Sequence, residues 1–489
     1  MEPEHIRFGG GANASLLHPI VAVWMLAAIV LMLTLPRKRA IVPFLLAILT
    51  IPFGQVLLLG GMHFTMMRIL ILTGLVRAVT MKASLSGRWF ATRFTRIDQA
   101  VVLWTLSAFI VITIQWMNPQ MLIAQLGDFI DALGGYLVVR FFIPDGKAVK
   151  RTIKVLAAVC VIHAVCMINE QITSVNVFNV LGGVGIPVET TIRDGQLRSS
   201  GVMGPLGEGV FAGVLVPLFI WLWKDRKSRL AACGGLLGVT AMLVTTHAST
   251  PWMSVGGAIL GLGFWALRGH MRIVRWGFGF TLVALHMVMK APVWHLIARV
   301  DITGSSSSYH RYTLVNQTIR HFSDWWLLGY KYYDQWDWDM WDTSNQFVAA
   351  ALNGGLVTLV LVILIFSFSF GAIGRARKRV KGDRNQEWFL WCLGSTLLAC
   401  LVSSFGVTFS GHLQMILFAL LGCISVTTFE AGRTRGRSVE PLQKATGELA
   451  FIAVGSELSL KNIFKPADSE MSNQKTNYET QSIRNYSDL

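Results

Sequence analysis

Charge is what this sequence has least of. Charged residues make up 14% of its 489, where a soluble domain carries about 25%. That deficit, with long apolar runs, excludes an ordinary soluble globule and indicates an integral membrane protein. Cysteine is scarce too. All six (Cys160, Cys166, Cys233, Cys392, Cys400 and Cys423) lie within apolar runs and none forms a CxxC pair. This excludes a disulfide framework and a cysteine metal site, and leaves small core residues. No internal repeat is present, which weighs against transporters built from two similar halves. Backbone groups in lipid must pair within their own segment, and the apolar runs are too long for barrel strands, so the spans are helices. The first run follows the acidic start MEPEHIRF with no small-residue cleavage site after it, and reads as a helix rather than a signal peptide.

Length and apolar content place thirteen helices, at 17–35, 41–59, 63–80, 98–116, 121–143, 152–169, 203–223, 230–248, 251–267, 273–290, 346–371, 387–408 and 411–429. The fifth is the weakest, because it carries Asp128, Asp131 and Arg140. The net charge of +16 would suggest nucleic acid on a soluble protein. Here the basic residues sit in short loops and report orientation instead, so no nucleic-acid partner is expected. Alternate gaps, starting with 36–40, hold 28 lysines and arginines, and the opposite set holds 7. The bias puts the N-terminus outside, the C-terminus in the cytoplasm, and the loops 170–202 and 291–345 on the outer face. The expected organisation is a polytopic membrane domain over 1–429 and a polar, largely disordered cytoplasmic tail over 430–489.

The stretch 304–358 holds five of the 17 tryptophans. A long polar excursion between helices folds over something or binds something. His310 and Arg311 follow a serine run, and Arg320 lies nine residues further on. Nine residues are about 2.5 helical turns, so Arg311 and Arg320 do not share a face. The run YKYYDQWDWDMWD interleaves Trp336, Trp338 and Trp341 with aspartates including Asp342. Aromatic faces suit sugar C–H surfaces and carboxylates suit hydroxyls. The plain alternative is an interfacial aromatic belt, which explains Trp341 best. An EF-hand reading fails for want of its glycine and terminal glutamate.

Arg198 stands just before Gly201, Gly204, Gly207 and Gly209 at the start of the seventh span, with Glu208 among them. Glycines let backbone approach a ligand, N–H groups at a helix start attract anions, and arginine offers a forked donor to phosphate. The plain alternative is a loop with a surface arginine. Within the spans, Arg68, Arg77, Asp128, Asp131 and Arg140 must face protein or water, or snorkel.

Three segments resemble the O-antigen ligase and O-antigen polymerase superfamily. Arg198 to Gly204, reading RSSGVMG, is similar to that family's Arg-x-Ser-Gly stretch. THASTPWMSVGGAILGL, from Thr246, is similar to its Ser-Arg-Gly-Ala-Trp stretch, with Thr250 in place of arginine. Ser344 and Asn345, then nine residues, then Gly355 and Thr358, resemble its His-[Asn/Ser/Gln]-x9-Gly-x-x-[Gly/Thr/Tyr] pattern, with Ser344 in place of histidine. The resemblance covers roughly residues 190–370. It implies a multi-pass, GT-C-like fold of about 12–13 helices in the bacterial inner membrane. It implies an inverting glycosyltransferase without metal or other cofactor. The donor would be an undecaprenyl-diphosphate-linked oligosaccharide and the acceptor a glycan, with other polysaccharide assembly proteins as partners.

The transfer leaves a diphosphate anion, which positive charge stabilises. Arg198 and Arg311 are assigned that role and His310 joins them as catalytic. Arg320, Glu208, Trp336, Trp338, Trp341, Asp342, Ser344 and Asn345 are assigned to substrate binding. A serine cannot replace imidazole as a base near neutral pH. His310, Asp342 and Glu208 are the nearest other candidates, and the missing histidine favours a polymerase of repeat units over a ligase to lipid A core. A transporter or flippase of lipid-linked sugars, or a non-catalytic assembly scaffold, are the competing classes.

Overall fold

The structure is a computed structural model that describes residues 15–60, 62–84, 93–182, 191–193, 195–299, 307–338 and 340–433. The expected tail from 434 onward lies outside these. The chain is helical. In order it forms α1 (Pro19–Thr34), α2 (Arg37–Thr50), a hairpin of β1 (Val56–Leu59) and β2 (Met62–Thr65), α3 (Met66–Ser84), α4 (Arg96–Trp116), α5 (Pro119–Phe129), a π turn (Ile130–Gly134), α6 (Gly135–Phe142) and α7 (Gly146–Thr173). A second hairpin of β3 (Thr191–Arg193) and β4 (Gln196–Arg198) precedes α8 (Gly204–Trp223), α9 (Arg229–Thr246), α10 (Ser249–Gly263) and α11 (Met271–Val288). The short α12 (Leu296–Arg299), α13 (Ser307–Arg320) and α14 (Phe322–Trp325) follow, then α15 (Gln346–Arg379), α16 (Arg384–Ser403) and α17 (Gly411–Arg433).

A helix stands at each of the thirteen positions the apolar runs give. Among the described residues, seven are long and apolar enough to cross a membrane, or eight if the pair from Met271 to Arg299, bent by 99°, is one span. This is compatible with a multi-pass membrane protein. The second helix is shorter than the expected span. Helix α2 stops at Thr50, and Val56–Leu59 pairs antiparallel with Met62–Thr65. Pro52 cannot continue the helix, and Leu16 bridges to Val56 to complete a small cap there.

Arg68, Asp131 and Arg140, within the expected spans, find partners. Arg68 on α3 grips Asp131 of the π turn with two hydrogen bonds, at 2.8 and 3.2 Å. Arg140 on α6 does the same to Asp98 at the start of α4, where Asp98 also closes a capping box with Thr95. Arg140 and Asp98 are each 1% exposed. A buried pair of this kind costs several kcal/mol to break from one side. That explains how the weakest expected span is kept.

The helices pack closely where side chains are small. A Cβ at Gly238 on α9 would lie 2.9 Å from the Cys160 backbone of α7, and one at Gly261 on α10 would lie 2.9 Å from Ser395 of α16. Such contacts are how helices associate without a hydrophobic drive between them.

Helix α15 is broken at Gly355, whose φ of 67° and ψ of −170° are not helical. The segment 326–330 plugs the break. Tyr330 N–H donates to Leu352 O and Leu356 N–H donates to Trp326 O, both at 2.8 Å. A Cβ at Gly355 would lie 2.6 Å from Leu327 O, so both the torsion and the close approach require glycine. The polar groups freed by the break are thus satisfied by protein. Leu314, Trp325 and Met340 form a small core with Val348, Ala351 and Leu352 of α15. The polar excursion is therefore a folded cap seated on α15.

Candidate functional site

The segment after β4 is held by two buried carboxylates. Glu170, near the end of α7, accepts from Ser200 N–H at 2.9 Å and Gly201 N–H at 3.1 Å. Glu208, in the second turn of α8, accepts from Val202 N–H at 2.7 Å and Met203 N–H at 3.1 Å. Its other oxygen lies 2.8 Å from Nδ1 of His163. Four successive backbone N–H groups are thus committed to side chains of the chain itself. The sequence offered these donors to an anion and Glu208 to a substrate. Instead Glu208 and His163 are both fully buried and fix the loop. Gly201, with φ of 53°, provides the left-handed turn that points the four donors inward.

The loop so fixed carries Arg198 to the end of α9. Its Nε donates to Thr246 O at 3.2 Å, and Ser199 N–H donates to Thr245 O at 2.9 Å. Arg311 reaches the same turn from α13. Its Nη2 donates to Thr250 Oγ1 at 2.8 Å and Ser249 Oγ at 3.2 Å, and it is 4% exposed. The segment around Gly406 closes over it, since a Cβ there would meet Arg311 Nε at 3.1 Å. Two arginines more than a hundred residues apart therefore hold the two ends of one turn, 246–250. Helix α10 starts at Ser249 with no side chain capping it. Its first N–H groups add to the positive character of the turn.

His310, beside Arg311, places Nε2 3.1 Å from Asp342 O and 3.9 Å from its carboxylate. Ser344 is half-buried close by. Asn345 is 1% exposed and caps α15, accepting from Phe347 and Val348 N–H at 2.9 and 3.2 Å. Its amide oxygen is committed to the helix. Gln346 ties this segment to the turn after α16, through Ser404 O and Phe409 N–H. Arg320 is exposed at the far end of α13, away from the turn, as the helical spacing requires.

The aromatic run divides. Trp336 lies between His321 and Tyr330, with centroids at 4.5 and 5.2 Å and planes within 7°. Both its faces are covered, so it offers a ligand only an edge. Trp338 is 89% exposed and Trp341 73%. Burial raises the Tyr333 phenol above its ordinary range, and the Asp334 carboxylate adds to the shift.

Three groups at or beneath the turn escaped the sequence reading. Glu170 and His163 lie inside an apolar helix, where their spacing signals nothing. His247, at the centre of the turn, gave only its place in THAST. A scan against protein-family models finds no match, and neither does a search of curated proteins.

Proposed function

We propose that this chain polymerises lipid-diphosphate-linked oligosaccharide repeat units, as a cofactor-independent inverting glycosyltransferase. The observation that carries the proposal is the convergence of Arg198 and Arg311 on the turn 246–250. Two forked cations beside an uncapped helix start suit a diphosphate better than a single charge. The acceptor hydroxyl attacks the anomeric carbon. The bond to phosphate oxygen breaks, and its electron pair stays on a diphosphate that the arginines stabilise. The excess of positive charge in the loops of one side, an aromatic acidic cap on the other and the broken α15 fit a GT-C-like enzyme of about 12–13 helices working at the outer face of a bacterial inner membrane. A transporter reading gives the one-sided cap no task. A ligase reading lacks an imidazole at Ser344.

The direct test uses purified protein in detergent and labelled polyprenyl-diphosphate oligosaccharides extracted from native membranes, with EDTA present. A ladder of longer glycans on the lipid is the expected product. Transfer to added lipid A core alone would make the protein a ligase, and no transfer of either kind would remove the enzyme reading. Orientation is tested separately. Single cysteines between 307 and 338, in a cysteine-free variant, should react with an impermeant reagent in intact spheroplasts. Reaction only after lysis would invert the topology and remove the outer-face site.

Exposed tryptophans are the sugar-facing surface in this reading. Alanine at Trp338 or Trp341 should shorten the polymer while the protein still reaches the membrane. A stacking contact is worth about 1–3 kcal/mol on the scale of base–aromatic stacking. Unchanged chain length in the double variant would leave the two rings as a membrane belt.

A further inference from the structure

The transfer needs a group to take the acceptor's proton, and Glu208 is too deeply engaged to be that group. We infer that His247 is the general base, an imidazole set in the turn that Arg198 and Arg311 hold from either end. The inference rests on the transferase reading above. Three observations carry it. His247 lies one residue after Thr246, which receives Arg198, and two before Ser249, which receives Arg311. Its backbone is left-handed, with φ of 42° and ψ of 44°, a conformation that costs a non-glycine residue roughly 1–2 kcal/mol. It ends α9 as a left-handed cap, as Met117 ends α4 and Ser174 ends α7, and it fixes where the His247 side chain leaves the turn. Its half-exposed ring makes no hydrogen bond to any described residue, and neither ring nitrogen is among the buried unpaired atoms. Other histidines near the site are engaged: His163 with Glu208, His310 with Asp342 and His412 with Ile51 O.

In the reaction, an imidazole nitrogen of His247 takes the hydroxyl proton as the oxygen forms its bond to the anomeric carbon. The electron pair of the breaking bond leaves with the diphosphate, so atoms and charge balance. The ring and the two guanidinium groups then act on opposite ends of one displacement. The arginines serve the leaving group and the histidine serves the nucleophile.

The test exploits the torsion. Glycine and asparagine both adopt the left-handed conformation, so His247→Gly and His247→Asn should fold and melt as the wild type does. Both should lower kcat roughly a hundredfold to ten-thousandfold, the range for a lost general base, with little change in KM. Added imidazole should restore part of the rate in the glycine variant. Wild-type kcat in either variant would overturn the inference, as would a raised KM with kcat kept. A loss that imidazole does not restore gives the ring a packing role and overturns it too. These failures are distinct from that of the function itself, in which the wild type makes no polymer from the same extracted lipid.

Discussion

Arg311→Ala is expected to slow polymer formation roughly a hundredfold to a thousandfold, the loss seen when one preorganised transition-state donor is removed. Arg311→Lys should come close to the same loss although the charge is kept. The guanidinium reaches Thr250 and Ser249 with one nitrogen, at 2.8 and 3.2 Å, and leaves its fork oriented by that contact. An ammonium is a point charge on a flexible stem and cannot hold that orientation. Arg198 should behave in the same way. If the two act on one diphosphate, the double alanine variant should be hardly worse than the worse single one. Because Arg311 is 4% exposed, each variant needs a melting curve in detergent beside its rate. Full activity in folded Arg311→Ala protein would remove the shared site. So would losses in the double variant that multiply, since independent groups add in free energy.

Long-period features of this chain were legible in its sequence. The runs of apolar residues located a helix at each expected position, of which seven or eight are long and apolar enough to cross a membrane among the described residues. Arg198 and Arg311 stood out because the expected outer face has few cations. Features that depend on contacts at long range were not legible. Val56 to Thr65 is as apolar as a helix, and only the hairpin pairing shows it to be strand. Gly355 announced a motif position but not that the segment 326–330 fills the break it makes. Trp336 and Trp338 are two residues apart and chemically identical, yet one is sandwiched between His321 and Tyr330 and the other is 89% exposed. Composition cannot separate them, since the partners that cover Trp336 arrive from elsewhere in the cap. Glu208 shows the same limit. Next to a glycine run it reads as a ligand-facing carboxylate, and its true partners are N–H groups five and six residues earlier and a histidine on another helix.

That carboxylate carries the second large effect. Glu208→Ala would leave the N–H groups of Val202 and Met203 and Nδ1 of His163 buried without their acceptor. Orphaning buried polar groups of this kind costs about 3–5 kcal/mol in total. The variant should melt well below wild type in detergent and accumulate poorly in the membrane. Glu208→Gln separates stability from charge. Its amide oxygen can still accept from both N–H groups, and its NH2 can donate to His163 Nδ1 when the ring proton sits on Nε2. It should therefore fold better than the alanine variant, at the cost of a buried Nε2–H on His163 that has no acceptor among the described residues. The loop from 199 to 203 would then be held, Arg198 would stay on Thr246, and polymer formation should persist within about tenfold, well short of the cost of removing a catalytic carboxylate. A Glu208→Gln protein that folds but is inactive would return Glu208 to the reaction as a participant. A Glu208→Ala protein that melts with the wild type would show that Glu170 alone fixes the loop. The expected order, with Gln more stable than Ala and active, follows only if the carboxylate works as an anchor for the backbone that carries Arg198.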